Sequence, residues 1–227
     1  MKLLAIDTAT ECCSVALLAG EQLLTREAEL ARGHAERILP MIDELLGDAG
    51  MSLRELDAIA FGRGPGSFTG ARLAASIVQG LAFGAGLGVV AISDLRALAQ
   101  RGLDEGSGVA RVLVCNDARM REVYWGCFER GSDGLAVHRG PERVGPPGSV
   151  HLPSSWTDAV GLGRGFAAYP MLQALPGVIV PNAWDRLLPR AAEIARLALP
   201  EASAGRLLAP EAAVPVYLRD DVARPPP

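Results

Sequence analysis

The sequence predicts an α/β fold of mixed sheets with flanking helices, laid down twice. Two patterns and one interruption carry that expectation. Over residues 1–100, short apolar runs and helically spaced apolar positions follow the order βββ-α-β-α-β-α, and such alternation builds layered α/β sheets. The opening theme of strand, acidic turn, strand, turn, strand returns at residues 111–138. Between them, Gly102-Leu103-Asp104-Glu105-Gly106-Ser107-Gly108 is polar and glycine-rich, and reads as a linker. The expected units are residues 1–105 and a smaller 106–227.

Each element has its own warrant. Residues 3–6 form an apolar strand ending at Asp7-Thr8-Ala9-Thr10, residues 13–18 a second, and residues 23–30 a third after a Gly20-Glu21 turn. A helix over 35–46 places Ile38, Leu39, Ile42, Leu45 and Leu46 at helical spacing. Ser52-Leu53-Arg54-Glu55 has the form of a capping box. Residues 57–61 read as a strand buried on both faces, 71–83 as a helix, 87–92 as a strand, and Ser93-Asp94 as the cap of a helix through 100.

In the second half, strands are expected at 112–116, 122–128 and 135–138. Residues 140–153 read as an irregular Pro/Gly loop, 159–163 as a strand running into a glycine turn, and 169–175 as a helix. Residues 178–180 form a short strand, Asp185 caps a helix over 186–199, and Pro225-Pro226-Pro227 ends a disordered tail.

The segment Gly62-Arg63-Gly64-Pro65-Gly66-Ser67-Phe68-Thr69-Gly70-Ala71-Arg72 joins a strand to a helix. Such a junction aims unpaired N–H groups and the positive helix end at one spot. It suits either a bound anion or the close approach of another backbone. A P-loop is excluded, because the only lysine is Lys2. The spacing also fails the dinucleotide fingerprint and the nucleophile elbow, where Phe68 replaces the serine. Ser67 or Thr69 is then a helix N-cap or a direct ligand or partner contact.

Composition narrows the function. The chain has 227 residues, 49% of them apolar and 5% aromatic, which predicts an aliphatic, alanine-rich core. A net charge of −4 argues against autonomous binding to nucleic acid or a membrane surface. Cys12, Cys13, Cys115 and Cys127 lack Cys-x-x-Cys spacing and read as buried thiols in a reducing compartment. The opening Met1-Lys2-Leu3-Leu4-Ala5-Ile6-Asp7 turns acidic too soon for a signal peptide, and no apolar run approaches a membrane span. A cytoplasmic location is expected. His34, His138 and His151 supply neither His-x-x-x-His nor His-Glu-x-x-His, and His34 with Glu36 lacks the Pro-Cys-x-x-Cys of a deaminase. No metal or cofactor is expected, and His34 reads as a hydrogen-bonding residue at a helix start.

Two halves opening with strand, Asp, strand, strand resemble the actin/sugar-kinase/Hsp70 (ASKHA, ribonuclease H-like) type. There an acidic residue ends the first strand of each half and faces a nucleotide cleft, and Asp7 and Asp117 fit those positions.

Five motifs narrow the resemblance. They are Ile6-Asp7-Thr8-Ala9-Thr10, His34-Ala35-Glu36-Arg37-Ile38-Leu39-Pro40, Gly64 through Arg72, Asp117-Ala118-Arg119-Met120-Arg121-Glu122-Val123-Tyr124, and Pro215-Val216-Tyr217-Leu218-Arg219-Asp220. In this order, over nearly the whole chain, they resemble the TsaB (YeaZ) family of bacterial threonylcarbamoyladenosine (t6A) tRNA-modification proteins. One small departure is Ala71, where a larger apolar residue is usual.

The resemblance implies a non-catalytic scaffold or activator of TsaD, the similar enzyme that transfers threonylcarbamoyl to adenosine 37 of tRNAs reading ANN codons. TsaD carries His-x-x-x-His on its first helix, whereas Ile38 follows His34 here. Implied partners are TsaD as a heterodimer and the ATPase TsaE as a third subunit. The same surface could support a homodimer when TsaD is absent, tRNA is expected to be met only through the complex, and no membrane is expected.

On the helix after the glycine loop, Leu73, Ile77 and Leu81 make one apolar stripe, and Ala71, Ala74, Ala75, Val78 and Ala82 a second of small residues. A small-residue stripe lets another helix come close. Together with Leu39, Ile42 and Leu46 it is the expected partner surface, two helices of this chain meeting two of TsaD. The competing reading packs that stripe within the chain. For nucleotide, the isolated chain is expected to bind weakly or not at all, with Asp7, Thr8, Arg72, Asp117 and Arg119 contributing to a site shared with partners. The alternatives are an M22-like metalloprotease (glycoprotease) and a small-molecule kinase of the same fold.

Overall fold

A computed structural model describes residues 1–219. The expected features at Asp220, Asp221, Val222 and the terminal prolines lie outside the described residues. In chain order the elements are β1 (Lys2–Asp7), β2 (Cys12–Ala19), β3 (Gln22–Glu29), α1 (His34–Asp48), β4 (Ala58–Gly62), α2 (Phe68–Ala85), β5 (Gly88–Ile92) and α3 (Asp94–Glu105). The second half adds β6 (Arg111–Asp117), β7 (Val123–Arg130), β8 (Ala136–His138), β9 (Arg143–Gly145), β10 (Ala159–Leu162), α4 (Arg164–Ala168), β11 (Val178–Ile179) and α5 (Ala191–Ser203).

The first sheet has the order β3-β2-β1-β4-β5 and the second β8-β7-β6-β10-β11, with β9 also pairing β7. In both, the first three strands are antiparallel and the remaining two join them in parallel. The halves are thus copies of one mixed-sheet topology, the duplicated ASKHA-like fold.

Strand alternation explains the layers. On β1, Leu3 and Ala5 face the interior shared by both halves, and Leu4 and Ile6 face α1 and α2. All four are buried, as a strand covered on both faces requires. The inner face of the first sheet is rich in alanine: Ala5, Ala16, Ala58 and Ala60. It receives Ala191, Ala195 and Ala198 of α5, short side chains that let a helix lie close to a sheet. Phe166 and Leu172 cover the outer face of the second sheet.

The division between 1–105 and 106–227 separates the sheets but not the helices. α3 packs on β6, β7 and β8 of the second sheet, and α5 packs on β1, β2, β4 and β5 of the first. The final stretch also returns to the first half, where Leu208 bridges Val89.

Several expectations need correction. α3 runs to Glu105, so the first part of the anticipated linker is its last turn, with Gly102 and Leu103 buried. The helix expected from 186 starts at Ala191, because Pro189 disfavours helix at the residue before it, and Asp185 lies in a separate 3₁₀ turn, Trp184–Arg186. That helix continues past Pro200 to Ser203. Residues 169–175 hold a 3₁₀ turn, Pro170–Ala174, and the loop 140–153 contains β9. The Ser52–Glu55 capping box does form, with Ser52 N donating to Glu55 Oε2 at 2.8 Å.

The largest correction concerns the small-residue stripe. Ala71, Ala74, Ala75, Val78 and Ala82 are buried within the chain, as are Ile42 and Leu46. The shorter side of α2 lies nearest the sheet because that side gives the tightest packing. The larger Leu73, Ile77 and Leu81 are left half-buried, while Leu39 is 47% and Phe83 82% exposed.

Val78→Arg should therefore destabilise the isolated chain by more than about 3 kcal/mol, since an unpaired cation would enter a closed core. Urea unfolding of the variant without any partner checks this, and unchanged stability would contradict the packing.

Candidate functional site

The two acidic turns converge. β1 ends at Asp7 and β6 at Asp117, and the turns after them face each other across a cleft of about 860 Å³. The glycine loop after β4, the start of α4 and residues 216–219 complete its walls.

The glycine loop is shaped by a backbone contact. Ser67 N donates to Ala9 O at 2.7 Å, and Thr8 Oγ1 donates to Gly70 O at 2.7 Å. A Cβ on Gly70 would overlap the Thr8 carbonyl oxygen, and one on Gly66 would stand 2.9 Å from Ala9 Cβ while overlapping the Ala9 carbonyl. Of the two functions open to this junction, close backbone approach is the one these contacts serve. Ser67 takes the N-cap role, its Oγ accepting from Gly70 N at 3.3 Å.

The sequence-expected site residues divide into two sets. Asp117 and Arg119 line the cleft. Asp117 Oδ1 accepts from Arg119 N at 2.9 Å and from Tyr169 Oη at 3.2 Å. Asp7, Thr8 and Arg72 do not line it. Asp7 and Thr8 are buried beneath the turn. Arg72 lies over the Phe68 ring, 3.4 Å from its centroid, and donates to Tyr217 Oη at 2.7 Å. His34 takes the expected helix-start role, its Nε2 donating to Thr10 O at 2.9 Å.

Asp94 is the residue that sequence reasoning missed. It was legible only as the first residue of a capped helix. Its fully buried carboxyl lies against that of Asp7, and Gly62 leaves room for both. Asp7 Oδ1 accepts from Ala9 N at 2.8 Å, and Asp94 accepts from Gly64 N. Burial raises the Asp7 pKa to about 6. Burial first, then the charge of Asp7, holds Asp94 well above the usual carboxylate range. Two adjacent buried carboxyls share a proton because both cannot ionise cheaply. Only the tertiary pairing of β4 with β5, Gly62 opposite Ile92, brings the start of α3 beside β1.

Three of the four arginines that line the cleft are matched. Arg119 approaches Glu11 at 3.8 Å and Asp117 at 3.3 Å, Arg164 meets Glu11 at 3.1 Å, and Arg219 pairs with Glu122. An incoming phosphate must displace carboxylates to reach them. Among the described residues, no three His, Cys, Asp or Glu side chains are arranged to hold a metal, and no helix is long and apolar enough to cross a membrane.

Fold and cleft define a protein of the actin/sugar-kinase/Hsp70 type: duplicated halves, joined by exchanged helices, with acidic turns meeting at one cleft. Comparison with known proteins is more specific. A family model described as TsaD, tRNA N6-adenosine threonylcarbamoyltransferase, matches residues 27–140. The Escherichia coli tRNA threonylcarbamoyladenosine biosynthesis protein TsaB is 41% identical over 98% of this chain and 96% of its own. Two Pseudomonas aeruginosa crystal structures, one described as YeaZ and the other as an uncharacterized protein similar to peptidase YEAZ, superpose with TM-scores of 0.87 and 0.89. Each is 44% identical, over 96% of this chain and 99% of the other. The chain belongs to the TsaB (YeaZ) family.

Two measurements test this site. Gly70→Ala should cost about 1–3 kcal/mol or more, because the Thr8 carbonyl has nowhere to retreat; denaturant unfolding reads the loss. The raised carboxyl pKa values mean that the folded chain holds a proton which the unfolded chain releases near pH 4. Stability should therefore fall as pH rises from about 4 through 6 and above. Asp94→Asn should flatten that slope and raise stability at pH 8. Thermal melts of both proteins from pH 4 to 8 check the sign.

Proposed function

We propose that this chain serves t6A biosynthesis as a non-catalytic subunit that docks TsaD, with TsaE joining the pair, in the cytoplasm. The observation that carries the reading is the outer surface of α1 and α2. Leu39 and Phe83 stand exposed there, and Leu73, Ile77 and Leu81 are only half-buried. Large apolar side chains left beside a complete core suit a partner helix. The exposed acids of α1, Glu36, Asp43 and Glu44, favour a partner with basic residues opposite.

Chemistry by the chain alone has little support. The Asp7–Asp94 pair is sealed from the cleft, His34 is spent on Thr10, and three of the four cleft arginines, Arg119, Arg164 and Arg219, are held by carboxylates. Nucleotide binding by the isolated chain is accordingly weak, and Asp117 and Arg119 are the cleft residues that can contribute to a site completed by partners. A peptidase reading rests on the description of one relative, and among the described residues the cleft hydroxyls of Thr10 and Ser67 and the His34 ring are bonded to backbone groups, not to one another.

Leu39→Asp and Phe83→Asp, both at exposed positions, should leave the circular dichroism spectrum and melting temperature unchanged. Each should weaken association with TsaD at least about tenfold, equal to ~1.4 kcal/mol. Co-purification and calorimetry measure this. Unaltered affinity in both variants would move the docking surface elsewhere, and t6A formation by the purified chain alone would end the non-catalytic reading.

A further inference from the structure

We propose that residues 216–219 are a latch across the mouth of the cleft, joining the two halves and holding the second acidic turn in a strained shape. The segment touches both sides. On the first half, Val216 N donates to Arg63 O at 2.8 Å, and the Tyr217 ring lies 5.7 Å from that of Phe68 while its hydroxyl receives Arg72 Nε. On the second half, the Arg219 guanidinium donates to Ala118 O at 3.2 Å and to the Glu122 carboxylate, and its other nitrogen reaches Met120 Sδ at 3.3 Å. All four residues line the cleft.

The turn that Arg219 grips is unusual. Arg119, Met120 and Arg121 have φ of 60°, 52° and 62°. Three successive left-handed residues without a glycine persist only where their surroundings impose that shape. Inside the turn, Glu122 N donates to Arg119 O at 3.0 Å and Ala118 N to Glu122 O at 2.9 Å. Arg219 adds the bonds from outside. It is well covered, its side chain 18% exposed, and its bond to Glu122 joins two charged groups. Two other ties cross the mouth. Arg164 meets Glu11 at 3.1 Å, and Arg119 reaches the same carboxylate from a side chain that is 78% exposed; neither bonds the backbone of the turn, and the more exposed pair contributes little.

The turn carries Asp117 and Arg119 into the cleft. Release of Arg219 therefore lets the turn relax, withdraws both residues and opens the mouth. Filling the cleft and detaching the C-terminal segment become linked events. The latch does not depend on the docking proposal, since it is read from contacts to Arg63, Phe68, Arg72 and the turn 118–122 within this chain.

Hydrogen exchange by mass spectrometry on the full chain tests it, comparing Arg219→Ala and Glu122→Gln with the parent. Both variants should exchange the amides of residues 117–122 about tenfold faster, as loss of a charge-assisted bond predicts. Arg219→Ala should also speed residues 216–219, while β1, β2 and β4 keep parental rates. Parental rates at 117–122 in both variants would overturn the latch. So would acceleration spread evenly over both sheets, since that would make Arg219 a general part of the core.

Discussion

The contact between the glycine loop and the first turn organises the rest of the molecule. Ser67 N and Thr8 Oγ1 cross-link two backbones that only missing side chains allow to approach. That contact ties the end of β1 to the start of α2, and so sets how α2 lies on the sheet. With α2 placed, its alanine side is pressed inward and its larger residues are turned out. The helix N-terminus opens towards the cleft, but its first turn is capped by Ser67. A motif that resembles a phosphate cradle is here a packing device.

A second constraint is the exchange of helices between halves. Each half supplies the helix that covers the other's sheet, so one apolar layer runs from the first sheet through α5 and α3 to the second. The alanines of β1, β2 and β4 make this possible by keeping α5 close. The cleft is consequently a seam within a continuous core, opened at one edge. Whatever motion it has must hinge on that layer, with Arg219 and the exposed ion pairs at the free edge.

The cleft keeps the geometry of a ligand-binding fold while its chemistry is turned inward. The carboxyls of Asp7 and Asp94 lie buried against each other, and each accepts from one backbone amide. Asp117 is held by Arg119 and Tyr169. Such internal pairing costs solvation and returns a defined shape.

The sequence by itself determined the mixed α/β class, the duplication, most of the element positions to within a turn or two of their ends, and the family, because apolar periodicity and turn residues are local signals. Local signals could not decide which side of α2 faces the sheet, since both sides are apolar and side-chain size is read only against an opposing surface. They could not show that Asp94 meets Asp7, or that Arg219 reaches Glu122, 97 residues away. Those outcomes depend on strand register and on contacts between distant segments, and only the assembled tertiary structure supplies them.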